Sequence, residues 1–277
     1  MAPGCRRPVV PEIIRPGRLD IHSDAGRLEA QWIGPGPDEA PTLVFLHEGL
    51  GCVALWRNFP ARFSELIGWG ALVFSRLGYG GSDPCPLPRA IDFMHHDGLT
   101  VLPEVLRQTG IGDYVLVGHS DGGSIALIHA GGIPGPGLKG VVTLAAHVFC
   151  EALTRQSIEA ARKRYLNGDL KTRLAHYHGK NTRCAFRGWS DVWLHPHFRS
   201  WTIEPFLPAI RVPVLAIQGE NDAYGSQAQI DAIRRNAGGA VDVAVIPGCG
   251  HAPHLEKTDA VLAAVSTFMT RRINVPR

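Results

Sequence analysis

Seven short β-type runs punctuate the chain: RLEAQWI, TLVFLH, ALVFSR, YVLVG, GVVTLAA, VPVLAIQ and VDVAVI. Their β-branched residues and their Gly, Pro or Asp boundaries mark them as strands. Several are apolar throughout, as a strand covered on both faces must be. Segments 57–67, 90–109, 121–131 and 257–272 carry apolar residues at helical spacing instead. Strands alternating with helices predict an α/β fold: a mostly parallel central sheet of about eight strands with helices on both faces. At 277 residues and 45% hydrophobic content, the chain can bury a core of that size.

The alternation stops between residues 148 and 205. This stretch has no strand candidate, holds the helical segment LTRQSIEAARKRYL, and concentrates Trp189, Trp193, Phe198 and Trp201. It predicts a helical cap inserted between a first core segment, 1–147, and a second, 206–277. The cap carries ten Lys/Arg against five Asp/Glu, and the rest of the chain 18 against 20, so the formal charge of +3 originates in the cap.

No run of one sign reads as a nucleic-acid arm or a polybasic membrane anchor. No stretch approaches the ~18 apolar residues of a membrane span, and MAPGCRRPVVPEIIRPGRLD lacks the apolar centre of a secretory signal. A cytoplasmic protein without nucleic-acid or membrane partners is expected. The six cysteines (Cys5, Cys52, Cys85, Cys150, Cys184, Cys249) lie far apart with no C-x-x-C pair, which predicts free thiols.

The run YVLVG leads into Gly118-His119-Ser120-Asp121-Gly122-Gly123 and then the helical SIALIHA. A G-x-S-x-G at a strand-to-helix corner is the pattern of a nucleophile elbow, where small residues let the backbone fold sharply and lift a serine hydroxyl above the sheet. The opening turn of the following helix would aim its unpaired N–H groups at an oxyanion formed there. The competing reading is a glycine-rich turn with an incidental serine.

A serine is a weak nucleophile until a base takes its proton, and the base needs an acid to orient it. Downstream, VLAIQGENDAYG offers Asp222 and Glu220, and VAVIPGCGHAPHLE offers His251 and His254. The order Ser, Asp, His is the one this chemistry takes on such a sheet. Asp222 is preferred because it falls three residues beyond the Gly219 that ends its strand, with Glu220 the substitute. His251 is preferred because Gly248 and Gly250 free its loop; His254 is expected to begin the last helix and pack behind it.

With these motifs the chain resembles the α/β-hydrolase superfamily over nearly its whole length. GHSDGG, GENDAYG and GCGHAPHLE carry the resemblance, together with SRLGYGGSDP, similar to the R-x-G-x-G-x-S of many members, and LHEGLGCVALW, similar to the family's H-G-x loop. The resemblance implies a catalytic triad of Ser120, Asp222 and His251 and oxyanion donors at the backbone N–H groups of Gly49 and Asp121. It places His47 on the family's loop histidine and Trp56 on the tryptophan nine residues later. It further implies that the 148–205 insertion caps Ser120.

Two positions depart from the family pattern: Glu48 replaces the glycine after the loop histidine, and Asp121 follows the nucleophile. An ionised carboxylate beside an oxyanion would oppose it, so each side chain must point away, be paired, or be protonated. Glu48 is expected to make a structural hydrogen bond beneath its loop. Substrate contacts are expected from His47, Glu48, Trp56, His119, Trp189 and Trp193, with Arg155, Arg183 or Arg187 as candidates to hold a substrate carboxylate.

No metal and no cofactor is expected. The HYH at 176–178 and HPH at 195–197 lack a carboxylate or cysteine at a matching interval, and H-x-H on a helix points its rings apart. Cys52 and Cys249 read as packing residues.

Serine at the nucleophile position implies acyl transfer to water rather than epoxide opening or dehalogenation, for which relatives use aspartate. The expected activity is hydrolysis of a small carboxylic ester or lactone. Carbon–carbon bond hydrolysis of aromatic ring-fission products and thioester hydrolysis use the same triad and remain alternatives. Outside enzymes, some relatives serve as ligand-sensing receptors or regulators. A small-molecule substrate is the expected partner; dimerisation is common enough in the superfamily to make a homodimer worth testing, though no residue of the sequence demonstrates one.

Overall fold

A computed structural model describes residues 16–274. The N-terminal segment read above, including Cys5, lies largely outside that range. Eight strands form one sheet: β1 (Gly17–Ser23), β2 (Gly26–Ile33), β3 (Thr42–Leu46), β4 (Gly70–Phe74), β5 (Tyr114–His119), β6 (Leu138–Leu144), β7 (Val214–Gly219) and β8 (Val241–Ile246). Their spatial order is β1-β2-β4-β3-β5-β6-β7-β8. β1 and β2 form an antiparallel hairpin, β2 also pairs antiparallel with β4, and every later pairing is parallel. The α/β-hydrolase architecture expected from the sequence is the one observed.

Successive residues of the central strands face opposite sides of the sheet. Leu43, Phe45, Val73, Val115 and Val117 pack with helices α1 (Phe59–Ile67) and α10 (Thr258–Arg272). Val44, Leu46, Leu72, Phe74 and Leu116 join the other layer, with α2 (Phe93–His96), α3 (Leu102–Gln108), α4 (Asp121–Gly132) and α8 (Gln227–Asn236). Burial on both sides explains why β3, β4 and β5 read as unbroken apolar runs.

Two elements departed from the sequence pattern. β1, GRLDIHS, buries only Ile21 and is mostly exposed, so it carries no apolar run. The predicted 90–109 helix is divided by a π-helical turn at Asp97–Val101, where Gly98 packs on α4: a Cβ there would stand 3.0 Å from the Ile125 carbonyl oxygen.

Between β6 and β7 the chain leaves the sheet and forms α5 (Ala152–Asn167), α6 (Leu170–His178) and α7 (Thr182–Trp193). A single antiparallel bridge between Phe149 and Thr202 closes the neck. His178, at the end of α6, ties the insertion to the core: Gly80 N–H donates to its Nδ1 at 3.0 Å and its Nε2–H donates to the Leu50 carbonyl at 3.0 Å. Cys184 on α7 is paired with Cys85 in a disulfide, which corrects the expectation that all the thiols are free. The two cysteines are 99 positions apart and meet only because α7 lies on the loop after β4, so spacing carried no sign of the pair. Cys52, Cys150 and Cys249 are free.

Candidate active site

Ser120 sits at the corner between β5 and α4 with φ of 51° and ψ of −117°, a conformation rare for a residue with a side chain. The corner is held by its neighbours. Ser120 N–H donates to the Leu144 carbonyl at 2.9 Å, and Gly123 N–H returns to the Ser120 carbonyl at 2.9 Å. Glycine is required at 122, since a Cβ there would lie 1.9 Å from the Leu46 carbonyl oxygen.

The loop after β7 brings Asp222 to this corner and the loop after β8 brings His251. His251 Nε2 lies 3.0 Å from Ser120 Oγ, while its Nδ1 lies 2.8 and 2.9 Å from the two Asp222 oxygens. Asp222 also accepts from the backbone N–H of Tyr224 at 2.8 Å and from the Gln218 amide at 2.6 Å. Burial alone would raise its pKa, but the hydrogen bond and charge of His251 hold it below the usual carboxylate range. In this geometry Nδ1–H donates to the carboxylate, leaving the Nε2 lone pair for the serine proton.

The rivals are elsewhere. Glu220 accepts from Gly248 N–H at 2.9 Å and serves the loop itself. His254 is buried against Trp56 and Phe59, with ring centroids 4.8 and 5.5 Å away.

Ser120, Asp121, His119, His251, Glu48, Gly49, Trp189 and Trp193 line one cavity of about 620 Å3 beneath the insertion. Asp121 opens α4, so its N–H belongs to the first turn, which has no carbonyl partner within the helix. Gly49 lies under the indole of Trp189 so closely that a Cβ would stand 2.2 Å from the ring. The Asp121 carboxylate is fully buried; one oxygen accepts from Trp193 Nε1–H at 3.1 Å and the other has no partner. Burial pushes its pKa up, against the opposing charge of Arg76.

Two expected substrate contacts are corrected. His47 is fully buried, its Nε2 accepting from Arg76 N–H at 3.0 Å and its Nδ1–H donating to the Glu48 carbonyl at 2.7 Å. Trp56 is 1% exposed and packs edge-on to Phe45. Both pack beneath the loop and neither lines the cavity, since His47 is committed to Arg76 and the Glu48 carbonyl, and Trp56 to Phe45, Phe59 and His254. The arginine candidates are corrected too. Arg155 donates to the carbonyls of Trp193 and Leu194 at 2.6 and 3.0 Å and so closes the end of α7. Arg187 pairs with Asp191 at 2.8 Å, and Arg183 is not among the cavity's lining.

The guanidinium groups that do border the cavity are Arg164 on α5 and Arg173 on α6, with His147, Thr154, Ile158 and Tyr224 completing its wall. His147 follows β6 directly, and the carboxyl ends of parallel strands are where sites form in such sheets. That was the one signal the sequence offered for it. Among the described residues, no group of three or more His, Cys, Asp or Glu is arranged to hold a metal, and no helix is long and apolar enough to cross a membrane.

The alpha/beta hydrolase family profile matches residues 43–264, a span that contains every residue of this site. The chain belongs to the alpha/beta hydrolase family. Within that family it is 35% identical to 2-succinyl-6-hydroxy-2,4-cyclohexadiene-1-carboxylate synthase of Salmonella paratyphi C over 114 residues. The match covers 41% of each chain, so this chain spans about two fifths of that relative's length. Among solved structures, an enol-lactonase from Burkholderia xenovorans LB400 superposes with a TM-score of 0.68 at 19% identity, covering 91% of this chain and all of the other. A thermophilic esterase from Thermogutta terrifontis superposes with a TM-score of 0.69 at 18% identity, covering 91% and 97%. At such identity these two structures attest the shared fold.

Proposed function

We propose that this alpha/beta hydrolase cleaves a small carboxylic ester or lactone through an acyl-enzyme on Ser120. The observation that carries this reading is the continuous chain Ser120 Oγ, His251, Asp222, with every link at 3.0 Å or less. As Oγ attacks the carbonyl carbon, His251 Nε2 takes its proton and Asp222 stabilises the imidazolium. The oxyanion is met by the N–H groups of Gly49 and Asp121. Collapse breaks the acyl–oxygen bond, and the imidazolium gives its proton to the departing alkoxide. A water then repeats the sequence on the acyl-enzyme, with His251 again the base, and restores the serine.

Cleavage of a carbon–carbon bond in a carboxylate-bearing substrate is the second reading. It is favoured by Arg164 and Arg173 at the cavity and by the partial similarity to a relative named for a cyclohexadiene carboxylate.

The test is a substrate panel run on the purified protein beside Ser120→Ala: short and long p-nitrophenyl esters, lactones, acyl-CoA thioesters and a ring-fission dienoate. Serine-dependent multiple turnover of esters or lactones supports the first reading, and turnover of the dienoate alone replaces it with the second. Fluorophosphonate labelling that persists in Ser120→Ala would remove Ser120 as the nucleophile. Failure of the whole panel by folded protein would redirect attention to a ligand-sensing role.

A further inference from the structure

His119, the residue before the candidate nucleophile, is 3% exposed and has two partners, and both are acceptors. Its Nδ1 lies 3.3 Å from Glu48 Oε2, and its Nε2 lies 2.8 Å from the backbone carbonyl of His251. A neutral imidazole carries one N–H and could satisfy only one of them, unless the carboxyl supplied the other proton. Glu48 is itself fixed: a Cβ on Gly51 would stand 2.2 Å from Oε2, so the side chain lies folded against its own loop. The same residue's backbone carbonyl accepts from His47 Nδ1–H and from Arg76 Nη2–H at 3.0 Å.

We propose that Glu48 and His119 form a carboxylate–imidazolium clamp that ties the loop carrying Gly49 to the loop carrying His251 and neutralises the carboxylate beside the oxyanion position. The clamp resolves the departure noted in the sequence, a glutamate where relatives have glycine. It acts through other groups, so Glu48 and His119 are positioning residues. What the clamp serves rests on the hydrolase reading; its protonation state does not.

The groups facing the pair are consistent with this state. Around His119 lie Glu48, Asp222, His251 and His254; around Glu48 lie His47, His119, His254, Cys52, Asp121 and His178. Burial opposes charge on both partners, yet the hydrogen bond and charge of Glu48 raise the His119 pKa. The reciprocal interaction holds Glu48 well below the usual carboxylate range. His47 and His254 are held neutral by burial, so neither competes for the carboxylate's charge.

The direct test is histidine side-chain 1H–15N correlation spectroscopy on the wild-type protein at pH 7, with His119 assigned by the signals that vanish in His119→Gln. Both His119 nitrogens are expected to be protonated at pH 7, where an exposed histidine is mostly neutral. Glu48→Gln is expected to return His119 to a single protonated nitrogen at neutral pH. A neutral wild-type His119 at pH 7, or an unchanged one in Glu48→Gln, overturns the proposal. If His119→Gln fails to fold, selective labelling with Glu48→Gln completes the assignment.

Kinetics test what the clamp does. His119→Gln leaves the Glu48 charge unopposed; kcat is expected to fall at least tenfold with KM within threefold, and the acid limb of kcat/KM to move to higher pH. Glu48→Gln/His119→Gln removes the charge, so the limb is expected to return and kcat to recover at least threefold. Independent losses that multiply in the double variant, with the limb unmoved throughout, would reduce the pair to packing. Loss of all turnover in wild type with His119 doubly protonated would sink the hydrolase reading and leave the ion pair standing.

Discussion

Asp222 holds His251 by both carboxylate oxygens, at 2.8 and 2.9 Å from Nδ1, while the Tyr224 N–H fixes the carboxylate from behind at 2.8 Å. Asn in place of Asp222 would keep the shape, present an amide that favours the wrong tautomer, and lose the charge that stabilises the imidazolium. Asp222→Asn is expected to lower kcat on the order of 10³–10⁴-fold with little change in thermal stability. If Glu220→Gln proved the crippling change and Asp222→Asn left turnover intact, the acid would be reassigned.

The elbow makes a stability prediction free of any assumption about substrate. Gly122→Ala places a methyl 1.9 Å from the Leu46 carbonyl oxygen, backbone against backbone with no side chain to yield. The expected loss is about 1–3 kcal/mol in urea unfolding, the usual cost of an added methyl that forces the backbone to shift. Retention of full stability would mean that the β3–α4 approach is looser than described.

Stability should also respond to pH with a defined sign. Burial lowers the pKa of His47, His129, His147, His178 and His254, that of His147 to about 4. An unfolded chain binds protons at these sites more readily, so their contribution is complete above about pH 6.5 and is lost as the pH falls toward the folded values. His119 runs the other way, its contribution being full below about pH 6.5 and lost as the pH rises through its raised folded value. Calorimetric scans from pH 4.5 to 9 should show the Tm highest near neutrality and falling on both sides. A Tm still rising at pH 4.5 would contradict the buried neutral histidines.

Arg164 and Arg173 flank Asp169 at 3.5 and 3.6 Å and are more than half exposed, so each is expected to add only modestly to the binding of a carboxylate-bearing substrate. Arg164→Gln and Arg173→Gln are each expected to raise KM about 1.4- to fivefold for an ester bearing a distal carboxylate, from about 0.2–1 kcal/mol per exposed ion contact. KM for a neutral ester of the same size should hold. Equal effects on both esters would show that the charge is not read.

Strands β3 to β7 were legible because burial on both sides makes each a nearly unbroken apolar run, while the partly buried β2 and β8 were marked by alternating apolar residues between turn boundaries. β1 escaped because its hairpin pairing with β2 is satisfied by backbone hydrogen bonds, with a single buried side chain in seven residues. Ser120, Asp222 and His251 were readable since each follows a strand end and a glycine-bearing turn. His47 and Trp56 were misplaced because a loop motif gives the order of residues but not which side of the loop each faces. The cavity's arginines and the Cys85–Cys184 pair depend on how the helices of the insertion lie over the core, which no local pattern encodes.

Trp189 rests on Gly49, and Trp193 donates to Asp121. The two indoles therefore touch the two residues proposed as oxyanion donors, and both come from a single helix, α7. Pocket shape and reactivity are for that reason not separate modules in this chain. On the proposed mechanism, a substitution at position 189 or 193 that admits a new substrate would also disturb the oxyanion donors, so drift in specificity should proceed through paired changes, 189 with 49 and 193 with 121.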